Sequence, residues 1–251
     1  MKTYTLCKEQ VSEGSLILVN SSYPLTTREL PGLTQVHPEY PDVRISGNVM
    51  TSLSKIMEDL HCEDQIVPVS GYRSREEQET IYEESLQENG KEFTMKYVAL
   101  PDHSEHQTGL AIDLGKKEET IDFIRPEFPY TGICQTFRKL APRYGFIERY
   151  PQGKEPITGI ACEPWHFRFV GVPHGDIMQQ MDLTLEEYLC FIKKYPIHKT
   201  HFKWEDEDMA MDLFYVPAED EPVKLTFPSE MMVHISGNNI DGFIVTVSRY
   251  K

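Results

Sequence analysis

The sequence predicts an α+β fold. Amphipathic helices and short strands follow one another along the chain, but without the regular strand–helix–strand repeat that a parallel sheet requires. No internal repeat is found in the 251 residues. Two short apolar runs, 65–70 and 110–114, predict strands. The first long helix is predicted from apolar residues at helical spacing: Val49, Leu53, Ile56, Met57 and Leu60.

The other elements follow from local patterns. Ser74 and Glu77 form a capping box, so a helix is expected to begin there and to end at Gly90. A helix over about 133–144 is expected to end at Gly145. The remaining predictions, in chain order, are a strand over 15–20, an extended loop over 21–48, strands over 146–150 and 165–170, and a helix opening at a second capping box, Thr184 with Glu187.

The character of the chain changes near residue 198. Beyond that point, alternating polar and apolar residues predict strands at 223–227 and 243–250. We therefore predict a first domain over residues 1–197, with its core at about 45–195, and a β-rich C-terminal extension over 198–251. The sequence leaves three roles open for the extension: forming a homodimer, covering a cleft, or extending the core.

Composition and charge narrow the function classes. The net charge is −15, so most of the surface would repel a nucleic-acid backbone and no nucleic-acid partner is expected. No apolar run approaches the roughly 18 residues that span a bilayer, and the N-terminal residues contain no apolar signal-peptide core. We therefore expect a cytoplasmic chain without a membrane anchor. The five cysteines lack CxxC spacing and are expected to be free thiols.

A split polar signature in the middle of the chain points to chemistry. Its first part is Ser-Glu-His-Gln-Thr-Gly-Leu-Ala-Ile-Asp over 104–113, and its second is Glu-Pro-Trp-His over 163–166. Glu163 lies where a base for a metal-activated water would be needed. The two parts supply a three-ligand set that leaves a fourth zinc position open: His106, Asp113 and His166.

Each part of the signature also has a plainer explanation. Asp113 lies among apolar residues, where a carboxylate is costly to bury unless it is paired or binds metal, but a strand with one solvent-facing Asp fits the same pattern. Pro164 breaks the strand alternation so that Glu163 and His166 converge, and a charged loop before a strand is the alternative. Seven other histidines, among them His103, compete as ligands.

Together with an upstream Ser-Gly-Tyr-Arg-Ser at 70–74, the signature resembles the zinc D,D-peptidases of the VanX, VanY and VanXY type, which are linked to vancomycin resistance. The resemblance covers roughly residues 45–195. It implies a small antiparallel sheet, flanked by helices, that cradles one Zn²⁺ ion per chain. It also implies that the zinc ligands are His106, Asp113 and His166.

The resemblance assigns further roles. Glu163 would be the catalytic base, and Arg73 would stabilise the tetrahedral intermediate. Considered alone, Arg73 would fit a surface ion pair with a neighbouring glutamate. The expected substrate-binding residues are Ser104, Gln78, Tyr72 and Trp165, the last of these packing beside the site.

The resemblance also implies a substrate class. Members of the family cut the D-Ala-D-Ala dipeptide, the terminal D-Ala of peptidoglycan precursor pentapeptides, or both. The expected absence of an anchor favours the dual-function VanXY type. Two alternatives are kept: a peptidoglycan endopeptidase or L,D-peptidase on the same scaffold, and a non-catalytic zinc-stabilised binding module like the hedgehog-type domains. Glu163 and Arg73 separate the enzyme from the binding module, because a structural zinc needs neither a base nor an oxyanion partner.

Overall fold

The computed structural model describes residues 1–26 and 32–251. The described helices are α1 (Gly47–Leu60), α2 (Arg75–Tyr97), α3 (Gly132–Leu140), α4 (Glu155–Thr158), α5 (His174–Gln180) and α6 (Leu185–Ile192). The described strands are β1 (Lys2–Leu6), β2 (Leu33–His37), β3 (Tyr40–Ser46), β4 (Ile66–Ser70), β5 (Ala111–Lys116), β6 (Phe146–Tyr150), β7 (Glu163–Phe169), β8 (Phe202–Glu205), β9 (Met209–Pro217), β10 (Val223–Phe227), β11 (Met232–Gly237) and β12 (Gly242–Tyr250). Short strands and short to medium helices are mixed along the chain, as an α+β fold requires.

The chain divides into two compact units. One unit is residues 19–184, and the other combines residues 1–18 with 185–251. The predicted division into domains 1–197 and 198–251 differs from this grouping and stays a prediction. Within the described ranges, no helix is both long enough and apolar enough to cross a membrane.

The unit of residues 19–184 contains a four-stranded antiparallel sheet in the order β4-β5-β7-β6. Strands β4, β5 and β7 are almost entirely buried, and β5 pairs with both of the others. In its register, Ser70 on β4 lies opposite Asp113 on β5, and Asp113 lies opposite His166 on β7. Three of the sequence motifs therefore meet on adjacent strands.

An aromatic cluster is part of the core of this unit. The rings of Phe128, Phe137 and Phe167 pack edge to face, with centroids 5.1–5.8 Å apart. All three side chains are buried. Because Phe137 lies on α3 and Phe167 on β7, the cluster holds a helix against the strand that contains the second motif.

The predicted start of α2 is confirmed. The Ser74 hydroxyl accepts from the Glu77 backbone N–H (3.1 Å), and the Glu77 carboxylate accepts from the Ser74 N–H (2.6 Å). The predicted end at Gly90 is a kink instead. Gly90 has φ +77°, outside the helical region, but helical residues resume beyond it and continue to Tyr97.

Several other predictions are confirmed within one to three residues. These are the helix from Val49, the strands at 65–70, 110–114 and 146–150, the helix ending at Gly145, the helix after Thr184, and the strands at 223–227 and 243–250. The chain turns at Gly145 with φ +83°, after α3 and a 3₁₀ turn over Ala141–Tyr144. The helices are predictable from apolar residues at helical spacing, and the strands from short apolar or alternating runs bounded by turn residues.

Two predictions before residue 49 are wrong. Residues 15–20 form no strand, although Leu16 and Leu18 are buried. The Leu16 N–H donates to Ser236 Oγ (2.8 Å), and the Leu18 N–H donates to the Asn238 carbonyl (3.1 Å). These partners satisfy the backbone without a strand ladder. The predicted loop over 21–48 contains the β2–β3 hairpin, whose half-exposed strands have little apolar alternation. Its residues 27–31 lie outside the described ranges.

The unit of residues 1–18 and 185–251 is mostly β-structure. An antiparallel sheet has the order β11-β12-β9-β8, and β1 pairs with β10. Its core includes Phe214, Phe243 and Val245. The turn before β12 is closed by Asn238, whose Oδ1 accepts from the backbone N–H groups of residues 240–242. The pairing of β1 with β10 is a long-range contact that local patterns do not reveal.

We expect Phe137→Ala to lower the free energy of unfolding by about 3–5 kcal/mol, because it removes a fully buried ring from the aromatic cluster. Phe123→Ala is the matched control. This residue is 72% exposed, so we expect a change within about 0.5 kcal/mol. Denaturant unfolding of both variants measures the difference. Equal effects would contradict the assignment of this cluster to the core.

Candidate metal centre and active site

The sheet register and one tight turn bring the two parts of the polar signature together. Asp113 and His166 are cross-strand partners on β5 and β7. His106 comes from a 3₁₀ turn over Glu105–Thr108, and the chain leaves that turn through Gly109 at φ +69°. A glycine suits this position because side chains rarely adopt a left-handed backbone. The His106 and His166 rings then lie edge to face, 4.9 Å apart.

Among the described residues, His106, Asp113 and His166 form a group that can hold a metal ion. Each offers one ligand atom, and these atoms lie within 4.8 Å of one another. Asp113 Oδ2 is 3.2 Å from His106 Nε2, and Asp113 Oδ1 is 2.9 Å from His166 Nδ1. All three side chains are buried.

The donor set fits zinc. Two imidazole nitrogens and one carboxylate are ligands that Zn²⁺ accepts in hydrolytic sites. The Nδ1 of His106 is 2.6 Å from the Gly71 carbonyl. This nitrogen must therefore carry the proton, which leaves the Nε2 lone pair facing Asp113. The sequence-predicted competitor His103 lies apart from this group, with its Nδ1 2.6 Å from the Asn20 carbonyl.

Glu163 lies beside the group, with Oε2 3.9 Å from His166 Nδ1. The convergence arises from an irregular register. Between paired residues, β7 advances from 163 to 167 while β6 moves only from Tyr150 to Glu148. The extra length of β7 contains Pro164, whose missing N–H is tolerated at a bulge. The predicted strand over 165–170 therefore begins earlier, at Glu163, and lies between β5 and β6.

The pKa values of the Glu163 and Asp113 carboxyl groups are shifted in opposite directions. Burial raises the pKa of Glu163 to about 8, with Asp113 adding to the rise and His166 and Arg73 opposing it. Burial also favours a higher pKa for Asp113, but the protonated forms of His106 and His166, whose protons a bound metal ion would replace, outweigh it and hold that pKa well below its usual range. The Asp113 carboxylate is therefore charged and suited to binding a metal ion. Glu163 can exchange a proton near neutral pH, as an acid–base group in hydrolysis must.

Arg73 points into the same site. Its Nη2 is 3.1 Å from Asp113 Oδ2, its Nε donates to Ser70 Oγ (3.1 Å), and its Nη1 donates to Gln78 Oε1 (3.3 Å). The alternative of a surface ion pair with a neighbouring glutamate is not what the structure shows. Three contacts on one guanidinium fix its orientation, which suits a group that must meet an anion in a defined place.

The predicted substrate-binding residues have different placements. Ser104, Gln78 and Trp165 line one cleft together with Arg73, Glu163 and the three candidate ligands. Gln78 is almost completely buried, and its Nε2 donates to the Ala99 carbonyl (2.8 Å) while its Oε1 accepts from Arg73. Its amide therefore supports Arg73 and leaves little for a ligand. Tyr72 is outside the described lining of the cleft, and its backbone N–H donates to the Arg44 carbonyl (2.6 Å).

Sequence reasoning missed three charged residues behind the site: Glu105, Arg149 and Arg168. Their side chains are fully buried. Burial alone would raise the pKa of Glu105, but the two guanidinium groups and His166 lower it below its usual range. The available signal was one arginine inside each of two strands that are otherwise mainly apolar, β6 and β7.

The chain is similar to a known protein family over about half of its length. The family model described as VanY, D-alanyl-D-alanine carboxypeptidase, matches residues 43–172, slightly more than half of the chain. The chain belongs to this family. The match contains all three motifs on which the resemblance depended, so that prediction is confirmed.

Relatives of this VanY-family chain are similar over most of its length. The bifunctional D-Ala-D-Ala dipeptidase and D-Ala-D-Ala carboxypeptidase VanXYC of Enterococcus gallinarum is 43% identical over 177 residues, which are 70% of this chain and 93% of that protein. The D,D-dipeptidase VanXYg, solved in complex with a D-Ala-D-Ala phosphinate analog, is 51% identical and superposes with a TM-score of 0.96 over 99% of both chains. The predicted α+β D,D-peptidase fold is thereby confirmed.

A third relative bears on the metal. The vancomycin-resistance D,D-pentapeptidase VanY from a VanB-type cassette was solved as a Glu-to-Ala mutant in complex with Zn(II). It is 32% identical and has a TM-score of 0.60, covering 70% of this chain and 99% of that one. A relative in this family therefore binds zinc, which agrees with the two histidines and one aspartate that could hold a metal ion in this chain.

We expect the purified chain to bind about one zinc ion, and His106→Ala to lower the bound zinc substantially, because one of three candidate ligands is lost. His103→Ala is the control, since that histidine contacts the Asn20 carbonyl and lies outside the group. Metal analysis after dialysis against a weak chelator measures both. Equal zinc in the two variants would contradict the assignment of His106.

Proposed function

We propose that this chain is a zinc-dependent D,D-peptidase that hydrolyses the D-Ala-D-Ala dipeptide and removes the terminal D-Ala of peptidoglycan precursor pentapeptides. In this role it would remodel cell-wall precursors in vancomycin resistance. The observation that carries the proposal is a single cleft that holds the group His106, Asp113 and His166 together with Glu163 and Arg73. The dual activity is supported by the 43% identity to VanXYC, a bifunctional dipeptidase and carboxypeptidase. The dipeptidase activity is further supported by the 51% identity to the D,D-dipeptidase VanXYg.

The three candidate ligands would hold one Zn²⁺ ion. Such an ion lowers the pKa of a bound water to about 7 and polarises a scissile carbonyl. Glu163 acts on the attacking water as general base and then passes the proton to the amine of the leaving D-Ala as general acid. Its buried position beside His166 and its raised pKa suit both transfers. Because Glu163 is buried, few water molecules can take the proton from its carboxyl group between the two transfers.

Arg73 provides the second element of the reaction. Its guanidinium projects beside Asp113 and is held by Ser70 and Gln78. A fixed positive charge near the scissile carbonyl stabilises the oxygen anion that forms on water attack, and preorganisation avoids a reorientation cost during the reaction. Ser104, which lines the same cleft, is proposed to contact the substrate carboxylate.

The binding-module alternative is less well supported. A structural zinc requires only its ligands, whereas this cleft also contains a buried carboxyl and an oriented arginine. Neither group is needed to hold a metal. The cytoplasmic location and the possible homodimer remain predictions from the sequence.

The proposal is tested by separate incubation of zinc-loaded protein with D-Ala-D-Ala, with D-Ala-D-Ser, and with a muramyl pentapeptide ending in D-Ala-D-Ala. We expect release of D-Ala from the first and third substrates, with D-Ala-D-Ser largely spared. Release from one substrate alone would reduce the function to a dipeptidase or a carboxypeptidase. No release from any of them, with zinc bound, would overturn the proposal in favour of the binding module.

We expect Glu163→Gln to reduce hydrolysis by roughly 100- to 10,000-fold, because the amide cannot accept the proton. Zinc content should remain at the wild-type value, since Glu163 is not a proposed ligand. Glu127→Gln is the control, because that exposed glutamate lies outside the cleft lining. Steady-state release of D-Ala, together with metal analysis, measures both effects. Full activity of Glu163→Gln would show that another group is the base.

A further inference from the structure

The carboxylate of Glu105 is divided between two kinds of partner. Its Oε1 accepts from Arg149 Nε (2.8 Å) and from Arg168 Nη1 (2.9 Å). Its Oε2 faces His166 Nε2 at 3.5 Å. All four side chains are buried. One oxygen therefore anchors the carboxylate to the sheet, and the other is directed at a candidate metal ligand.

Burying this charged cluster costs free energy that a purely structural role would not require. Burying a carboxylate and two guanidinium groups carries a desolvation cost that can exceed the attraction between them, so apolar side chains of similar size would often be at least as stable. The cluster also lies directly beside the candidate metal ligands. Glu105 is adjacent to one candidate histidine ligand in the chain, His106, and its side chain contacts the other, His166.

The two ring nitrogens of His166 face different groups. Nε2 faces Glu105, whereas Nδ1 lies 2.9 Å from Asp113 Oδ1 and 3.9 Å from Glu163 Oε2. Each ring nitrogen thus faces a carboxylate, and an anionic carboxylate can only accept. A metal ion held with Asp113 would take the place of the proton on Nδ1, and the remaining proton would be on Nε2, where Glu105 accepts it. The lone pair is then on Nδ1, on the side where a metal would be held with Asp113.

We infer that Glu105 is a positioning residue that fixes the tautomer and orientation of His166, and that Arg149 and Arg168 keep its carboxylate from turning away. The inference rests on the proposed function in one respect, namely that His166 is a zinc ligand. The counterpart at His106 is the Gly71 carbonyl on Nδ1. The two histidines thus present different nitrogens, each selected by an acceptor on its far side. Of these acceptors only Glu105 is a side chain, so it can be altered directly.

The first test is the variant Glu105→Gln. An amide at this position can turn its oxygen toward the arginines only by turning its NH₂ group toward His166 Nε2, where two donors would meet. We expect zinc affinity, measured by chelator competition, to fall roughly 10- to 100-fold. The spectrum of the Co²⁺-substituted protein should also change, which a distant loss of stability would not cause.

Glu148→Gln is the matched control. Glu148 is also a largely buried carboxylate on this sheet, but it pairs with Arg138 (Oε2 to Nε, 2.6 Å) and has no role in the proposed site. We expect this variant to lower thermal stability while zinc affinity and the Co²⁺ spectrum stay at wild-type values. Equal loss of zinc affinity in both variants would overturn the inference, because general destabilisation would then explain the effect. Unchanged zinc affinity in Glu105→Gln would overturn it as well.

A measurement on the wild-type chain covers the case in which Glu105→Gln does not fold. ¹⁵N-histidine NMR of the zinc-loaded protein reports which nitrogen of His166 carries the proton. We expect Nε2–H, with Nδ1 coordinated; a protonated Nδ1 would overturn the inference while leaving the proposed activity intact. Conversely, a wild-type chain that binds no zinc would overturn the proposed function and, with it, the ligand that Glu105 is inferred to position.

Discussion

The register between β4, β5 and β7 is the constraint on which the site depends. Ser70, Asp113 and His166 lie opposite one another on three adjacent strands. Because side chains alternate between the two faces of a strand, a slip of one residue would send Asp113 or His166 to the opposite face. The buried apolar residues around them resist such a slip, so packing of the sheet and assembly of the site are set by the same pairing.

Around this register, the pKa values of three buried carboxyl groups are shifted in opposite directions. The pKa of Asp113 is lowered by the protonated forms of two histidines, with Arg73 close by, and that of Glu105 is lowered mainly by two arginines. Glu163, by contrast, has its pKa raised to about 8, mainly by burial. Divergent environments of neighbouring carboxyl groups separate their roles. Here one suits metal binding, one suits support of a ligand, and one suits proton transfer.

One part of the chain matches the family model, and the rest lies outside it. The VanY family model ends at residue 172, and the match to VanXYC covers 70% of the chain, whereas VanXYg matches over 99%. The strands β8 to β12 lie beyond the family model, and so does the pairing partner of β1. The residues that line the cleft therefore lie within the range that the family model matches, whereas β8 to β12 lie outside it.

By itself, the sequence determined the fold class and most helices and strands from Val49 onward, because apolar spacing and turn residues are local signals. The candidate ligands, base and arginine were predicted from the motifs at 70–74, 104–113 and 163–166 and from their resemblance to a known family. The tertiary structure decided what depends on distant partners. Residues 15–20 form no strand because their backbone groups bond to Ser236 and Asn238. Gln78 supports Arg73, Tyr72 lies outside the described cleft lining, and Glu105 is buried with two arginines. Charge pairing between strands far apart in sequence has no local pattern, so only the folded chain reveals it.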